Sequence, residues 1–156
     1  MNLANKWFIG AISSTLIASV SLWEGTRYYA YHDIVGVPTV CQGYTGPGIV
    51  FGRKYSAEEC KAFLMQEIQT HAKGMLECVT VPLTENQFNA FTLFTYNIGV
   101  NGFCKASLTK KLNNGDIVGA CDGLMAWVYA DGKVVEGLRN RRAFEREMCL
   151  RDVVRR

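Results

Sequence analysis

The most constraining feature of this chain is an uncharged, largely apolar run near its N-terminus, from Trp7 to Trp23. The run begins directly after Lys6 and is 17 residues long (positions 7 to 23), at the short end of what crosses a hydrocarbon core about 30 Å thick. The positive-inside rule places Lys6 in the cytoplasm and the chain after Trp23 outside, and tryptophans suit both interfaces. We therefore expect an N-terminal membrane segment over residues 1–23, followed by an exported domain over 24–156.

Two other uses of the same run stay open. Ser19 and Ser21 are small residues that could precede a signal-peptidase cut, in which case the mature chain would begin near Leu22. The apolar residues also recur at helical steps of three and four, which predicts an amphipathic helix that packs on the folded domain and carries Glu24 at its end. The residues that define this helical face are Ile9, Ile12, Leu16, Val20 and Trp23.

Length and charge limit the remaining possibilities. A chain of 156 residues with 49% hydrophobic content can bury one sizeable core, so we expect one folded domain. The formal net charge is +3, which is too small to indicate nucleic acid binding. The basic residues are scattered except for Arg139, Arg141 and Arg142 and the Arg155–Arg156 tail. This excess fits an anionic surface such as a cell wall, or an ordinary solvated surface.

The cysteine pattern favours disulfides. Six cysteines stand far apart, without any Cys-x-x-Cys pair, and the chain has only two histidines, His32 and His71. Tetrahedral zinc sites use closely paired ligands, so we expect no metal. Exported domains keep disulfides, whereas a cytosolic chain would hold six buried thiols. The cysteines are Cys41, Cys60, Cys78, Cys104, Cys121 and Cys149.

The rest of the sequence alternates a short β region with several helices. Glycines and β-branched residues over 39–52 predict short strands and tight turns, the only convincing β region before residue 128. Capping boxes at Ser56 with Glu59 and at Thr84 with Gln87 open helices that end near Gly74 and Gly99. Further helices are predicted over 107–112, after Asp116 and from about Asn140, with an Asp131–Gly132 hairpin turn. The fold class is α+β.

Glu24 and Asp33 are the candidates for chemistry. A carboxylic acid at the end of an apolar helix and a carboxylate in a polar stretch form the pair that cleavage of a glycosidic bond requires. Two acidic residues separated by eight others are more often surface salt-bridge partners, so their spacing alone decides little.

The residues around this pair carry a resemblance. Glu24-Gly25-Thr26-Arg27, Ala30-Tyr31, Asp33, Gly36 and Thr39 resemble the active-site signature of phage-type lysozymes, glycoside hydrolase family 24. The resemblance continues through Tyr96-Asn97-Ile98-Gly99, Gly102-Phe103 and residues 137–142, and covers roughly residues 16 to 150. It implies a lysozyme-like α+β fold in which a small β lobe and a mainly helical lobe are joined by a long helix.

The resemblance also implies roles for single residues. Glu24 looks like the general acid, Asp33 the carboxylate that activates water, and Thr39 the hydroxyl that positions this water in an inverting attack. Arg141 matches a residue that pairs with or orients Glu24, although Arg139 or Arg142 are alternative matches. Asn97 is either a sugar contact or a helix cap. No cofactor or metal is implied. His32 could tune the neighbouring Asp33 or lie exposed on the opposite face, and His71 receives no role.

The chain departs from the family beyond the catalytic threonine. Cys41 replaces a glycine and Tyr44 a histidine, so a disulfide from Cys41 could take over what the glycine turn does. From expected proximity in the fold we pair Cys41 with Cys60, Cys78 with Cys104, and Cys121 with Cys149.

The N-terminal run before Glu24 resembles that of signal-anchor-release endolysins. The resemblance implies export by the host secretion machinery, an inactive form held at the inner membrane, and release into the periplasm. Because the first helix needs residues from about 14 to 24, it cannot form fully while they span the bilayer. Relatives that are activated by disulfide reshuffling carry an anchor cysteine, and residues 1–40 have none.

We therefore predict a monomeric endolysin that hydrolyses the β-1,4 bond between N-acetylmuramic acid and N-acetylglucosamine in peptidoglycan during host lysis. Two alternatives remain. A lytic transglycosylase would cleave the same bond with Glu24 alone, and a non-catalytic, membrane-anchored wall-binding protein would keep the fold without turnover.

Overall fold

The N-terminal apolar run is broken in the computed structural model, which describes residues 1–153. A 3-10 turn over Leu3–Asn5 and helix α1 over Trp7–Gly10 precede helix α2 over Ser14–Glu24. The break arises because Ser13 is extended and its hydroxyl caps α2 by accepting a hydrogen bond from the Leu16 amide at 3.1 Å. The prediction of one helical face through Ile12 is therefore wrong, whereas Leu16 and Val20 are buried. Arg155 and Arg156 of the basic tail lie outside the described residues.

No single helix within residues 1–153 is long and apolar enough to cross a membrane. The two helical stretches Leu3–Gly10 and Ser14–Glu24 are together long and apolar enough, but they are bent by 70° at the break between them.

The chain divides into two compact units, which we call the β unit and the helical unit. The β unit comprises Ile12–Thr70, and the helical unit comprises Met1–Ala11 together with the chain from His71 onward. The first eleven residues therefore belong to the same unit as the C-terminal half of the sequence.

The β unit contains an antiparallel hairpin of β1, Arg27–His32, and β2, Pro38–Cys41. Tyr31 pairs with Thr39, and an irregularity interrupts the register between Arg27 and Tyr31. The prediction that residues 39–52 are the only β region before residue 128 is wrong, because β1 already forms over Arg27–His32. The core of this unit is an apolar cluster around the end of β2, in which Tyr44 stacks on Phe63 with 4.0 Å between ring centroids.

Helix α3, Ala57–Glu77, contributes residues to both units. The predicted capping box is present: the Glu59 amide donates to the Ser56 hydroxyl at 3.1 Å, and the Ser56 amide donates to the Glu59 carboxylate at 2.8 Å. The helix continues past the expected end at Gly74. A Cβ atom at Gly74 would lie 2.6 Å from Cγ2 of Val100, so this glycine allows close packing rather than ending the helix.

The helical unit is built around α4, which runs from Glu85 to Ile98 and packs against α8. The capping box of Thr84 and Gln87 is present, and Gly99 ends α4 with a φ of 87°, as predicted. Helix α5 was not predicted, and α8 begins four residues before Asn140, with Glu136 favourably placed in its first turn. The remaining elements are α5 Val100–Lys105, α6 Ser107–Asn113, α7 Ile117–Gly123, a 3-10 turn Leu124–Ala126, β3 Tyr129–Ala130, β4 Lys133–Val134 and α8 Glu136–Leu150.

Each of the three disulfides joins two cysteines of the same unit. Cys41–Cys60 lies in the β unit, whereas Cys78–Cys104 and Cys121–Cys149 lie in the helical unit. This is the pairing that the sequence predicts. The α+β fold class is confirmed: two small antiparallel sheets accompany a mainly helical chain.

Candidate active site

Glu24 is the last residue of α2, where the helix ends at Gly25. Gly25 has a φ of 68°, and its amide donates to the Ser21 carbonyl at 3.1 Å. Glycine adopts this backbone conformation without the steric cost that a Cβ atom imposes. The turn presents Glu24, which is half-buried, three residues before β1 begins.

Asp33 follows the last residue of β1 and organises the turn of the hairpin. Its Oδ1 atom accepts hydrogen bonds from the amides of Val35 and Val37, each at 2.9 Å. Its own amide donates to the Val37 carbonyl at 3.0 Å, and its carbonyl accepts from Gly36 at 3.0 Å. Because one carboxylate oxygen accepts hydrogen bonds from two backbone amides, the turn fixes the orientation of the Asp33 side chain.

Thr39 lies on β2, opposite Tyr31, and is buried. Its Oγ1 atom donates to the Val37 carbonyl at 2.9 Å. The hydroxyl proton is thereby committed to the backbone, and Oγ1 keeps its capacity to accept. The structure thus links Asp33 and Thr39 through Val37, and all three residues predicted to act in catalysis belong to the β unit.

Asn97 and Arg141 belong to the helical unit, near a buried cluster on α4 and α8. The Asn97 carbonyl oxygen accepts from Nη2 of Arg142 at 2.9 Å, while the C-cap of α4 is Gly99. Arg142 is fully buried, lies over the Phe94 ring and forms an ion pair with Glu145 at 2.8 Å.

Glu145 joins the two buried arginines. Arg141 approaches this carboxylate at 3.5 Å, whereas Arg139 lies on the surface and pairs with Glu136 at 3.4 Å. Burial raises the pKa of Glu145 from its ordinary 4.5 to about 7, although Arg142 and Arg141 act in the opposite direction. Sequence reasoning missed Glu145, although its spacing of three from Arg142 is that of a helical ion pair.

The histidines form ring contacts rather than a metal site. His32 stacks on Phe51 with 4.7 Å between centroids, and the His71 ring lies 4.9 Å from that of Tyr96. Among residues 1–153, no group of three or more His, Cys, Asp or Glu side chains is arranged to hold a metal ion.

Comparison with known proteins identifies the family. The family model described as phage lysozyme matches residues 21–145 of this chain, which includes Glu24, Asp33 and Thr39. The chain belongs to the phage lysozyme family. Among similar proteins is the SAR-endolysin of Enterobacteria phage PA-2, which is 44% identical over 143 residues, or 90% of this chain and 87% of that protein.

Solved structures of phage lysozymes share the fold. A mutant of the P22 lysozyme has a TM-score of 0.82 and 30% identity, covering 89% of this chain and 97% of that one. The active form of the P1 phage endolysin Lyz has a TM-score of 0.79 and 25% identity, covering 91% and 86%. As a phage lysozyme, this chain is a glycoside hydrolase, a lysozyme-type endolysin for host lysis, and its substrate is peptidoglycan.

Proposed function

We propose that this phage lysozyme hydrolyses the β-1,4 bond between N-acetylmuramic acid and N-acetylglucosamine with inversion at the anomeric carbon. In this reaction Glu24 donates a proton to the leaving oxygen while water attacks from the opposite face of the sugar. Asp33 accepts a proton from that water, and Thr39 positions it. The enzyme works as a monomer and requires no cofactor.

The observation that carries this proposal is the hydrogen bonding of the β1–β2 turn. Oδ1 of Asp33 is occupied by two backbone amides, and Oδ2 has no hydrogen bond to protein within residues 1–153. The Thr39 hydroxyl already donates its proton to the Val37 carbonyl, so its oxygen can accept a hydrogen bond from water. A water molecule beside both side chains therefore meets two acceptors, one for each of its protons, and turns its lone pair towards the sugar.

Two further residues complete the proposed site by their match to the family. We assign Arg141 to orienting Glu24 by that match alone, although its guanidinium also approaches Glu145 at 3.5 Å. We assign Asn97 to a sugar contact through its amide nitrogen, because its carbonyl oxygen already accepts from Arg142.

The test is mass spectrometry of the fragments released from purified peptidoglycan. The wild type is expected to give products with free reducing ends, whereas Glu24→Gln gives none. Anhydro ends would mean a lytic transglycosylase instead, and no release by the wild type would favour a wall-binding protein. Proton NMR of the first product formed, taken before mutarotation, distinguishes inversion (α anomer) from retention (β anomer).

We further propose that residues 1–23 form a signal-anchor-release segment and that residues 24–156 form the catalytic domain. The host secretion machinery would export the chain, which stays tethered to the inner membrane until the segment leaves the bilayer and the enzyme enters the periplasm. Support comes from the uncharged run of residues 7–23, from the bent helix pair Leu3–Gly10 and Ser14–Glu24 that overlaps it, and from relatives that are SAR-endolysins.

Fractionation and N-terminal sequencing test this route. The protein is expected in the membrane fraction before the membrane potential is dissipated and in the periplasm afterwards, with Met1 still present. A mature N-terminus near Leu22 would show instead that the segment is a cleaved signal peptide. Sedimentation of the released form tests the monomeric state.

A further inference from the structure

The residues that precede the apolar run are docked on the helical unit through a buried asparagine. Asn5 is completely buried. Its Nδ2 atom donates to the Val81 carbonyl at 2.9 Å, and its Oδ1 atom accepts from the Leu83 amide at 2.9 Å. Asn2 adds a bond from its Nδ2 to the Thr80 carbonyl at 3.0 Å.

A ring contact continues this docking at the start of α1. Phe8 is buried and stacks on Phe88 in α4, with 4.6 Å between centroids and 9° between ring planes. The neighbouring Leu3 and Trp7 are 77% and 59% exposed. One side of residues 2–8 is thus fitted to the helical unit, while the large apolar residues on the other side remain in solvent.

The surface that receives these residues is the connector between α3 and α4, residues 78–84. Its backbone is satisfied by asparagine side chains from two sources. Asn113 of α6 donates to the Cys78 carbonyl and accepts from the Thr80 amide, each at 2.9 Å. Asn5 bonds Val81 and Leu83 in the same manner. Leu83 is itself buried, so its amide would lose a needed partner if Asn5 left.

Docking excludes insertion in the membrane, because Phe8 belongs to both the docked residues and the membrane run, and Asn5 would lie on the opposite side of the bilayer from the domain. If residues 7–23 span a bilayer, Phe8 cannot stack on Phe88, and Asn5 remains on the cytoplasmic side with Lys6. Conversely, the docked arrangement requires that the N-terminus and Lys6 have crossed to the side of the catalytic domain. A conformational equilibrium shifts only through interactions made in one state and absent from the other, and these docking contacts are such interactions.

We propose that residues 2–8 are a release latch that binds the 78–84 connector and Phe88 once the N-terminus has left the membrane, and that this binding holds the enzyme in its released form. The inference rests on the proposed signal-anchor-release route and extends it to the residues before the apolar run. Asn5 is the centre of the latch, since its amide supplies both the donor and the acceptor that the connector requires.

The test compares two asparagines that bond the same connector. Asn5→Ser removes the latch bonds but keeps a polar residue near the membrane segment. Asn113→Ser removes the equivalent bonds from α6 and leaves residues 1–23 unchanged. Each full-length variant is expressed, and the membrane and periplasmic fractions are measured at intervals after the membrane potential is dissipated. Hydrogen exchange of the purified released form reports docking directly at the Leu83 and Thr80 amides.

Asn5→Ser is expected to lower the ratio of released to membrane-bound protein by about fivefold or more, as expected for the loss of about one net hydrogen bond. Exchange at the Leu83 amide should rise by a similar factor. Asn113→Ser should raise exchange at Thr80 without changing the released fraction. A released fraction for Asn5→Ser equal to that of the wild type overturns the latch, whatever the exchange result.

Failure of the latch and failure of the proposed function give different results. Muramidase activity of the purified released Asn5→Ser protein, per mole, is measured beside that of the wild type and of Glu24→Gln. If release is unaffected but the wild type hydrolyses peptidoglycan and Glu24→Gln does not, only the latch is wrong. If the wild type is never membrane-bound, the release route itself is wrong and the latch falls with it.

Discussion

Asp33 and Thr39 are both hydrogen-bonded to the same residue, Val37. The Val37 amide donates to Oδ1 of Asp33 at 2.9 Å, and its carbonyl accepts from Oγ1 of Thr39 at 2.9 Å. One peptide segment thus fixes the orientation of the carboxylate and the direction of the hydroxyl proton. A carboxylate whose orientation is fixed in advance can accept a proton from water without the cost of reorganising during the reaction.

This arrangement separates the chemical role of Asp33 from its role in the turn. Asp33→Asn keeps an Oδ1 acceptor for Val35 and Val37 but removes the base, so we expect the turnover rate to fall by about 10²-fold or more with little change in the free energy of unfolding. Asp33→Ala should lose both the base and the Oδ1 acceptor, so its turnover rate and its free energy of unfolding should both fall. The measurements are hydrolysis of purified peptidoglycan and urea denaturation of each variant. Full activity in Asp33→Asn would exclude Asp33 as the base.

Thr39 provides the matched control on the opposite strand. Thr39→Ser keeps a hydroxyl that can donate to the Val37 carbonyl and accept from water, so it should retain most activity. Thr39→Val fills a similar volume without either hydrogen bond and should lose activity. Equal rates for the two variants would show that the Thr39 hydroxyl does not position the attacking water.

Cys41 holds a backbone conformation that favours glycine. Its φ is 61°, and it follows Val40, which exchanges two backbone hydrogen bonds of 2.9 Å with Tyr44 around the turn. The resemblance in sequence places a glycine at this position, so the chain has kept the left-handed turn while substituting a disulfide-bonded cysteine. The cost of a Cβ atom in this conformation is about 1–2 kcal/mol.

Two double variants test this account of Cys41. Both Cys41→Gly with Cys60→Ala and Cys41→Ala with Cys60→Ala should lose roughly 3 kcal/mol of stability with the disulfide. The glycine variant should recover about 1 kcal/mol relative to the alanine variant, because it relieves the strain at this φ. Urea denaturation under non-reducing conditions measures both. Equal urea midpoints for the two double variants would show that the turn relaxes when the disulfide is absent.

Local signals in the sequence predicted much of this fold, and tertiary contacts account for what was missed. The capping boxes and the Gly99 stop depend on neighbouring residues alone, so α3 began and α4 began and ended where expected. Gly74 was expected to end α3. The reason for a glycine there is its close contact with Val100, which is distant in sequence and so leaves no local signal. The docking of Asn5 depends likewise on the connector before α4, more than seventy residues away. The catalytic candidates were predicted from a local signature that resembles a known family, whereas the hydrogen bonds through Val37 required the structure.

Glu145 should make stability fall as the pH rises from about 4.5 to about 7. Its pKa is raised from 4.5 to about 7 by burial, so in this window the folded protein keeps a proton that the unfolded chain releases. The stabilising contribution is complete below pH 4.5 and is lost by about pH 7, on the order of a few kcal/mol in total. Glu145→Gln should flatten this dependence when the free energy of unfolding is measured by urea denaturation.

Glu59 is the control, because its pKa is shifted in the opposite direction from that of Glu145. The ion pair with Arg53 lowers the pKa of Glu59 to about 2, so its contribution is present above about pH 4.5 and is lost as the pH falls towards 2. Glu59→Gln keeps a residue that can complete the capping box and should leave the slope between pH 4.5 and 7 unchanged. A slope in that window that is the same in Glu145→Gln as in the wild type would show that Glu145 ionises normally in the folded protein.

Gly74 should tolerate no side chain, because it lies within the packing of α3 against Val100. A Cβ atom there would come within 2.6 Å of one Val100 methyl and 2.9 Å of the other. We expect Gly74→Ala to lower the free energy of unfolding by about 1–3 kcal/mol through overpacking. Gly137→Ala is the control, since a Cβ at that helical position meets nothing within 4 Å and should be neutral or slightly stabilising. Recovery of stability in Gly74→Ala combined with Val100→Ala would identify Val100 as the cause, whereas an unchanged loss would place the strain elsewhere in α3.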